Sequence, residues 1–184
     1  QIVNGDISYQ LLKPVNLYDQ WFFSYYTLNV SRAFLRSIPI LLICWFLPMG
    51  IGLTLPVSPQ AFAYFLITFL LGTFLVIAVN MFSYILVSIT LSPPAVFGVS
   101  HTIGALLAGS IIPLPLMPNW FNSFNNLLPF RYINDLPYRI YIGNITIDGA
   151  WKYIVIQLVW IVLLLALGRM WLSRRMKKLV VQGG

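Results

Sequence analysis

Four long apolar stretches, none of which contains Asp or Glu, limit the possible folds of this chain more than any other feature. A helix of about 20 residues crosses the hydrocarbon core of a bilayer, so these stretches are candidate membrane spans. Hydrophobic residues make up 59% of the chain and charged residues only 8%, against about 25% charged residues in soluble domains. The excess apolar surface has to face lipid. We therefore predict an all-α, polytopic transmembrane helix bundle, one transmembrane domain over 1–184, with four spans at 37–57, 61–89, 95–112 and 151–171.

The positive charges predict the orientation of this bundle. Three Lys and Arg residues precede the first span, five end or follow the fourth, and three lie between the third and fourth: Lys13, Arg32, Arg36; Arg169, Arg174, Arg175, Lys177, Lys178; and Arg131, Arg139, Lys152. Because cytoplasmic loops are enriched in Lys and Arg, both ends of the chain are predicted to be cytoplasmic, as an interfacial segment at 1–31 and a basic tail at 172–184. We expect the plasma or inner membrane of a bacterial cell. In this context the net charge of +7 indicates orientation and no nucleic-acid partner.

The segment at 113–149 is predicted to be an external helical hairpin. Its apolar residues recur at helical spacing, and its Asn and Ser side chains fall on the other face: Trp120, Phe121, Phe124, Leu127 and Leu128 against Asn122, Ser123, Asn125 and Asn126. This pattern predicts an amphipathic helix of about three turns, ended by Pro129. A second helix is predicted over 131–142, where Arg131, Asp135 and Arg139 are spaced to pair along one face. The two short helices either enter the outer leaflet or cap the bundle.

Polar residues inside the spans are the candidates for a translocation path. Asn80, Ser83, Tyr84 and Ser88 form one stripe on the second span, and His101 lies in the third. Hydrogen bonding between helices is the alternative role for each of them. One imidazole without further ligands cannot make a metal site, and the sequence has no phosphate-binding loop or catalytic signature. We therefore predict no catalytic, cofactor or metal residues, and any ATP has to bind another chain.

Three parts of the sequence resemble the type 2 exporter permeases of the ATP-binding-cassette (ABC) transporters. Residues 109–118 (GSIIPLPLMP) and 128–144 (LPFRYINDLPYRIYIGN) resemble the family's external re-entrant region, and 5–18 (GDISYQLLKPVNLY) resembles its cytoplasmic segment before the third span. The resemblance implies that the four spans are the third to sixth of a six-span permease, truncated at its N-terminus. It also implies that a second permease subunit pairs with this one, as a homodimer or a heterodimer, within membrane lipid.

The resemblance further implies how energy enters. Two ABC ATPase subunits, which carry ATP and Mg²⁺, would dock on the cytoplasmic side, near Asp6, Tyr9, Lys13 and Asn16. The chain is then no enzyme itself but a subunit that exports a small amphipathic or hydrophobic substrate. The residues alone leave other functions open: a passive channel or lipid scramblase that uses the polar stripe, an intramembrane enzyme that uses His101, or a structural membrane subunit.

Overall fold

The computed structural model describes residues 17–47, 54–90 and 92–176. All regular structure in these ranges is helical, which agrees with the predicted class. The six α-helices are α1 Leu17–Phe46, α2 Pro59–Thr90, α3 Pro93–Leu107, α4 Asn119–Asn125, α5 Asp135–Tyr141 and α6 Ile147–Met176, and two short 3₁₀ helices lie at Leu114–Leu116 and Phe130–Tyr132. Among the described residues, α1, α2 and α6 are long and apolar enough to cross a membrane, and α3 is a shorter apolar helix.

Contacts at the two ends of the bundle show that its long helices alternate in direction. Near the start of α1, Asp19 accepts a hydrogen bond from Arg169, which lies near the end of α6. At the other end, the carbonyl of Thr54, in the segment between α1 and α2, accepts a hydrogen bond of 2.6 Å from the hydroxyl of Tyr141 on α5. We call residues 108–146, between α3 and α6, the hairpin, and we distinguish the hairpin end of the bundle from the opposite end, where Asp19 lies.

Helix α2 is the centre of the bundle. It packs against α6 and α5, and less extensively against α1 and α3. Apart from the stripe of Asn80, Ser83, Tyr84 and Ser88, its sequence is apolar around the helix, which is typical of a helix surrounded by protein or lipid. Leu75, Ala78 and Met81 near its middle are completely buried. The hairpin and the other long helices are therefore positioned chiefly by their contacts with α2.

Helix α1 extends much further towards the N-terminus than the predicted span at 37–57. It begins at Leu17 and passes through Arg32 and Arg36, which are both exposed, before it ends at Phe46. Part of the predicted interfacial segment at 1–31 therefore belongs to the same helix as the span. The two arginines marked the predicted boundary, but long basic side chains reach polar surroundings without interrupting a helix.

An aromatic stripe at the start of α1 explains why the helix continues there. Tyr18, Trp21 and Phe22 recur at helical spacing and are all buried. The ring of Phe22 lies 5.6 Å from that of Phe74 on α2. These rings bury apolar area between the helices, so packing against α2 stabilises the first turns of α1.

The remaining helices differ from the predicted spans mainly at α3. The spans predicted at 61–89 and 151–171 lie within α2 and α6, whereas α3 ends at Leu107, before the predicted end at 112. Gly109 adopts a left-handed backbone with φ of 75°. The following amide, that of Ser110, bonds back to the carbonyl of Ala105 at 2.9 Å. This is the usual way in which a glycine just beyond the last turn ends a helix.

Candidate functional site

The first short helix of the hairpin, α4, presents its apolar face outward. Trp120 is 71% exposed and Leu127, just after the helix, is 73% exposed, whereas Asn125 is completely buried. The predicted polar face is therefore divided: Asn122 and Asn125 point into the protein, whereas Ser123 and Asn126 are exposed. A soluble helix has the opposite arrangement. An apolar exterior over a polar interior suits a hairpin that is surrounded by lipid.

The inward asparagines donate hydrogen bonds to backbone carbonyls where the chain turns between α3 and α4. The side-chain amide of Asn122 donates to the carbonyls of Leu114 and Met117, each at 3.0 Å. The amide of Asn125 donates to the carbonyl of Leu107, at the end of α3, at 2.7 Å. Irregular backbone at membrane depth is tolerated only where the protein itself supplies such partners. The two side chains thus let the chain turn between α3 and α4 without water.

Gln157 joins α6, α2 and the hairpin at one buried point. Its side chain is completely buried, and its amide nitrogen donates to the carbonyl of Thr68 on α2 at 3.0 Å and to that of Tyr132 in the hairpin at 2.8 Å. A buried amide without partners is costly, so the packing of α6 at this point depends on these two carbonyls as hydrogen-bond acceptors. Gln157 is not among the residues predicted from the sequence, although an isolated amide inside an apolar span is a signal for such a residue.

Gly72 on α2 allows the backbone of the hairpin to lie directly against the backbone of α2. A Cβ atom at this position would lie 2.5 Å from the carbonyl oxygen of Ile133. No side chain larger than hydrogen fits there unless the backbone of the hairpin moves. Thr68, one turn before Gly72 on α2, accepts a hydrogen bond from Gln157, which also binds Tyr132. Together these contacts fix the second 3₁₀ helix onto α2.

The structure brings the three members of the predicted charge cluster together, but on two elements and not on the single helix predicted over 131–142. Arg131 lies in the second 3₁₀ helix, and Asp135 and Arg139 lie on α5. Asp135 Oδ2 lies 3.5 Å from Arg131 Nε and 3.6 Å from Arg139 Nη1. The carboxylate is largely buried and both guanidinium groups are partly exposed. Both separations exceed the roughly 2.7–2.9 Å of a charge-assisted hydrogen bond. One carboxylate is therefore shared loosely between two cations.

A small pocket lies over this cluster. The three charged residues line it together with Tyr132, Leu136, Ile145 and Tyr153. Burial raises the pKa of the Tyr132 hydroxyl, although the nearby Arg131 guanidinium acts in the other direction. That hydroxyl donates to the carbonyl of Asn126 at 2.7 Å. The pocket thus combines two arginines, a carboxylate and two aromatic rings at the hairpin end of the bundle.

The residues predicted to line a translocation path lie in different environments. Asn80 is exposed, Ser83 is buried and Tyr84 is partly buried. The ring of Tyr84 lies 4.5 Å from Tyr25 on α1 and 5.0 Å from Phe97 on α3. The stripe therefore passes from the surface of α2 into a junction of three helices. Its role in transport stays a prediction.

The other predicted site residues divide between described and undescribed positions. His101 is exposed on α3. The side chain of Ser88, and the whole of Asp6, Tyr9, Lys13 and Asn16, lie outside the described residues. Within the described part of the chain, no three His, Cys, Asp or Glu side chains are grouped so that they could hold a metal ion.

An all-helical bundle with three helices of membrane length and an apolar-surfaced hairpin defines a polytopic integral membrane protein. The sequence matches the family model described as "ABC-2 family transporter protein" over residues 1–183, and the chain belongs to that family. It is thus a membrane permease component of an ABC transporter, which confirms the resemblance found in the sequence. The family implies an ABC ATPase subunit as the partner that hydrolyses ATP. No curated protein and no solved structure matched the chain.

Proposed function

We propose that this permease exports a small amphipathic or hydrophobic substrate from the cell. Membership of the ABC-2 family over residues 1–183 is the observation that carries the proposal. The sequence has no phosphate-binding loop, so ATP and Mg²⁺ bind to the separate ATPase chain. Two permease subunits pair in the membrane, and an ATPase dimer docks on their cytoplasmic side near Asp6, Tyr9, Lys13 and Asn16.

In the proposed topology α1, α2, α3 and α6 are the third to sixth spans of the permease. Helix α3 has 15 residues and is therefore about 22 Å long, shorter than the hydrocarbon core of about 30 Å. The hairpin fills the remaining depth with an apolar exterior and internally bonded carbonyls, as a re-entrant segment requires. The excess of Lys and Arg near both chain ends supports a cytoplasmic location for the opposite end of the bundle.

Labelling of single cysteines tests this topology. Cys44 is replaced by Ser, and cysteine is introduced at Arg174 or at Asn144, which are both exposed and lie at the two ends of the bundle. A membrane-impermeant maleimide is expected to label Asn144→Cys in right-side-out vesicles and Arg174→Cys only in inside-out vesicles. The reverse pattern would contradict the proposed orientation.

The proposed cycle couples ATPase closure to a change of access in the bundle. Helices α1 and α6 meet at the cytoplasmic end through Asp19 and Arg169, whose charged atoms lie 2.7 Å apart. A movement of the ATPase is thus transmitted to both helices. The substrate moves along Asn80, Ser83, Tyr84, Ser88 and His101. Such coupling requires that the substrate contact the inward and outward states with different free energies.

Reconstitution with the ATPase tests the function. The permease and ATPase are coexpressed and placed in liposomes, and ATP hydrolysis and uptake are measured with a panel of lipophilic cations and neutral amphiphiles. We expect hydrolysis that at least one compound stimulates and uptake that needs ATP. Asn80→Ala should lower uptake while the ATPase stays bound, and Asn144→Ala, an exposed control in the hairpin, should not. Flux without nucleotide would favour a channel or scramblase and contradict an exporter.

A further inference from the structure

The pocket over Arg131, Asp135 and Arg139 carries an uncompensated positive charge. Two guanidinium groups share one carboxylate, which leaves a net charge of +1 in the cluster. Asp148 and Lys152, both exposed near the start of α6, add one charge of each sign and do not change this balance. The cluster is therefore suited to a monovalent anion.

The guanidinium groups also keep hydrogen-bond donors available. Each has five N–H donors, and both contacts to the carboxylate are longer than hydrogen bonds. Arg131 donates to the side-chain carbonyl of Asn126. The Nε of Arg139 is buried and has no hydrogen-bond partner among the described residues. A planar guanidinium with free donors recognises phosphate oxygens well.

The surroundings of the pocket favour a lipid as the source of that phosphate. Tyr138, next in sequence to Arg139, and Trp151, two residues before Tyr153, are 62% and 61% exposed, and the amino group of Lys152 lies 5.6 Å from the ring centre of Tyr153. Exposed Trp and Tyr rings concentrate where the headgroups of a bilayer lie. The cavity itself measures only about 30 Å³, far below the roughly 300–1,000 Å³ typical of a site for a whole drug-sized molecule.

We propose that this pocket binds the phosphate of a phospholipid headgroup in the leaflet at the hairpin end. The two arginines hold the phosphate oxygens, and the acyl chains lie along the apolar exterior of the hairpin. Such a lipid would fasten the hairpin at headgroup depth. The site is separate from the proposed translocation path, and the inference does not depend on the direction of transport or on the substrate.

Lipid retention by the purified permease–ATPase complex tests the proposal. The complex is delipidated and incubated in mixed micelles with phosphatidylglycerol or with diacylglycerol of the same acyl chains, and retained lipid is counted by native mass spectrometry. We expect phosphatidylglycerol, but not diacylglycerol, to be retained. Arg139→Gln should lower retention about tenfold, the effect of losing a charge-assisted hydrogen bond. Arg174→Gln, which removes the same charge from an exposed position at the opposite end, should change retention little.

The second variant is Asp135→Asn, which removes the competing carboxylate and is expected to raise retention. A damaged fold would lower retention instead, so this variant gives a readout independent of misfolding. The proposal is overturned by equal retention of diacylglycerol, by equal losses in Arg139→Gln and Arg174→Gln, or by unchanged retention in Arg139→Gln. Reduced or unchanged retention in Asp135→Asn also overturns it. Displacement of the lipid by inorganic phosphate at equal concentration would assign the pocket to free phosphate instead.

Discussion

Replacing Gly72 with Ala tests whether the hairpin rests directly on α2. The added Cβ would lie 2.5 Å from the carbonyl oxygen of Ile133, and ordinary contact begins at 3.4 Å, so the hairpin backbone has to withdraw by about 0.9 Å. Such overpacking costs about 1–3 kcal/mol. Displacement of the neighbouring Tyr132 weakens its bond with Gln157, which adds about 0.6 kcal/mol.

The gain in helix propensity from Gly to Ala offsets up to about 1 kcal/mol of this cost. We therefore expect Gly72→Ala to lower the free energy of unfolding by about 1–2 kcal/mol. Gly98 on α3 is a matched control, because a Cβ there meets nothing within 4 Å. Gly98→Ala should leave stability unchanged or slightly raised. The measurement is thermal unfolding of the purified complex in detergent, followed by tryptophan fluorescence. Equal transition temperatures for the two variants would refute the close contact.

Three further predictions concern the contacts that hold the hairpin and α1. Gln157→Leu removes both donated hydrogen bonds and should lower the free energy of unfolding by about 1–3 kcal/mol. The control Gln60→Leu, at an exposed position, should change it by at most about 0.5 kcal/mol. Equal effects of the two variants would show that the buried amide of Gln157 does not hold the helices together. Asp19→Arg breaks a partly exposed ion pair and should lower the free energy of unfolding by about 1 kcal/mol or less. Adding Arg169→Asp to the same chain should restore most of this loss. No recovery in the double variant would contradict the pairing. Because burial raises the pKa of Tyr132 above its usual 10.0, its contribution to stability is fully present below about pH 10 and is lost as the pH rises through the higher folded value. Melting temperatures measured against pH should show this alkaline loss in the wild type and less of it in Tyr132→Phe.

The central helices could be predicted from the sequence because their signal is local. The apolar runs at 61–89 and 151–171 contain enough residues to cross a bilayer, and α2 and α6 include them entirely. The start of α1 could not be predicted in this way. Its first turns are held by ring packing against Phe74, a contact between residues that are distant along the chain. Arg32 and Arg36 were used to predict where the membrane span begins, but the helix itself begins earlier, at Leu17.

The hairpin shows a similar division between local and distant information. The spacing of Asp135 and Arg139 predicted their proximity, since residues four apart share a helix face, whereas Arg131 reaches Asp135 from the preceding 3₁₀ helix. The same periodicity separated the asparagines from the apolar residues of α4, but it could not state which face meets the protein. That choice depends on distant carbonyls such as that of Leu107, which lacks a helical partner because α3 ends there, at the turn formed by Gly109.

The buried amide of Gln157 has a consequence for how the bundle can change shape. It ties α6 to α2 and to the hairpin at once, so parting any two of these three would strand polar groups in a dry interior. They should therefore travel as one rigid block. The described part of the seam along α1 is held instead by aromatic ring contacts, by a side-chain hydrogen bond between Tyr25 and Tyr84, and by the Asp19–Arg169 ion pair at its rim. Opening along α1 would cost ring contacts and a partly exposed ion pair, which is less than stranding a buried amide, so a gate along α1 would meet less resistance.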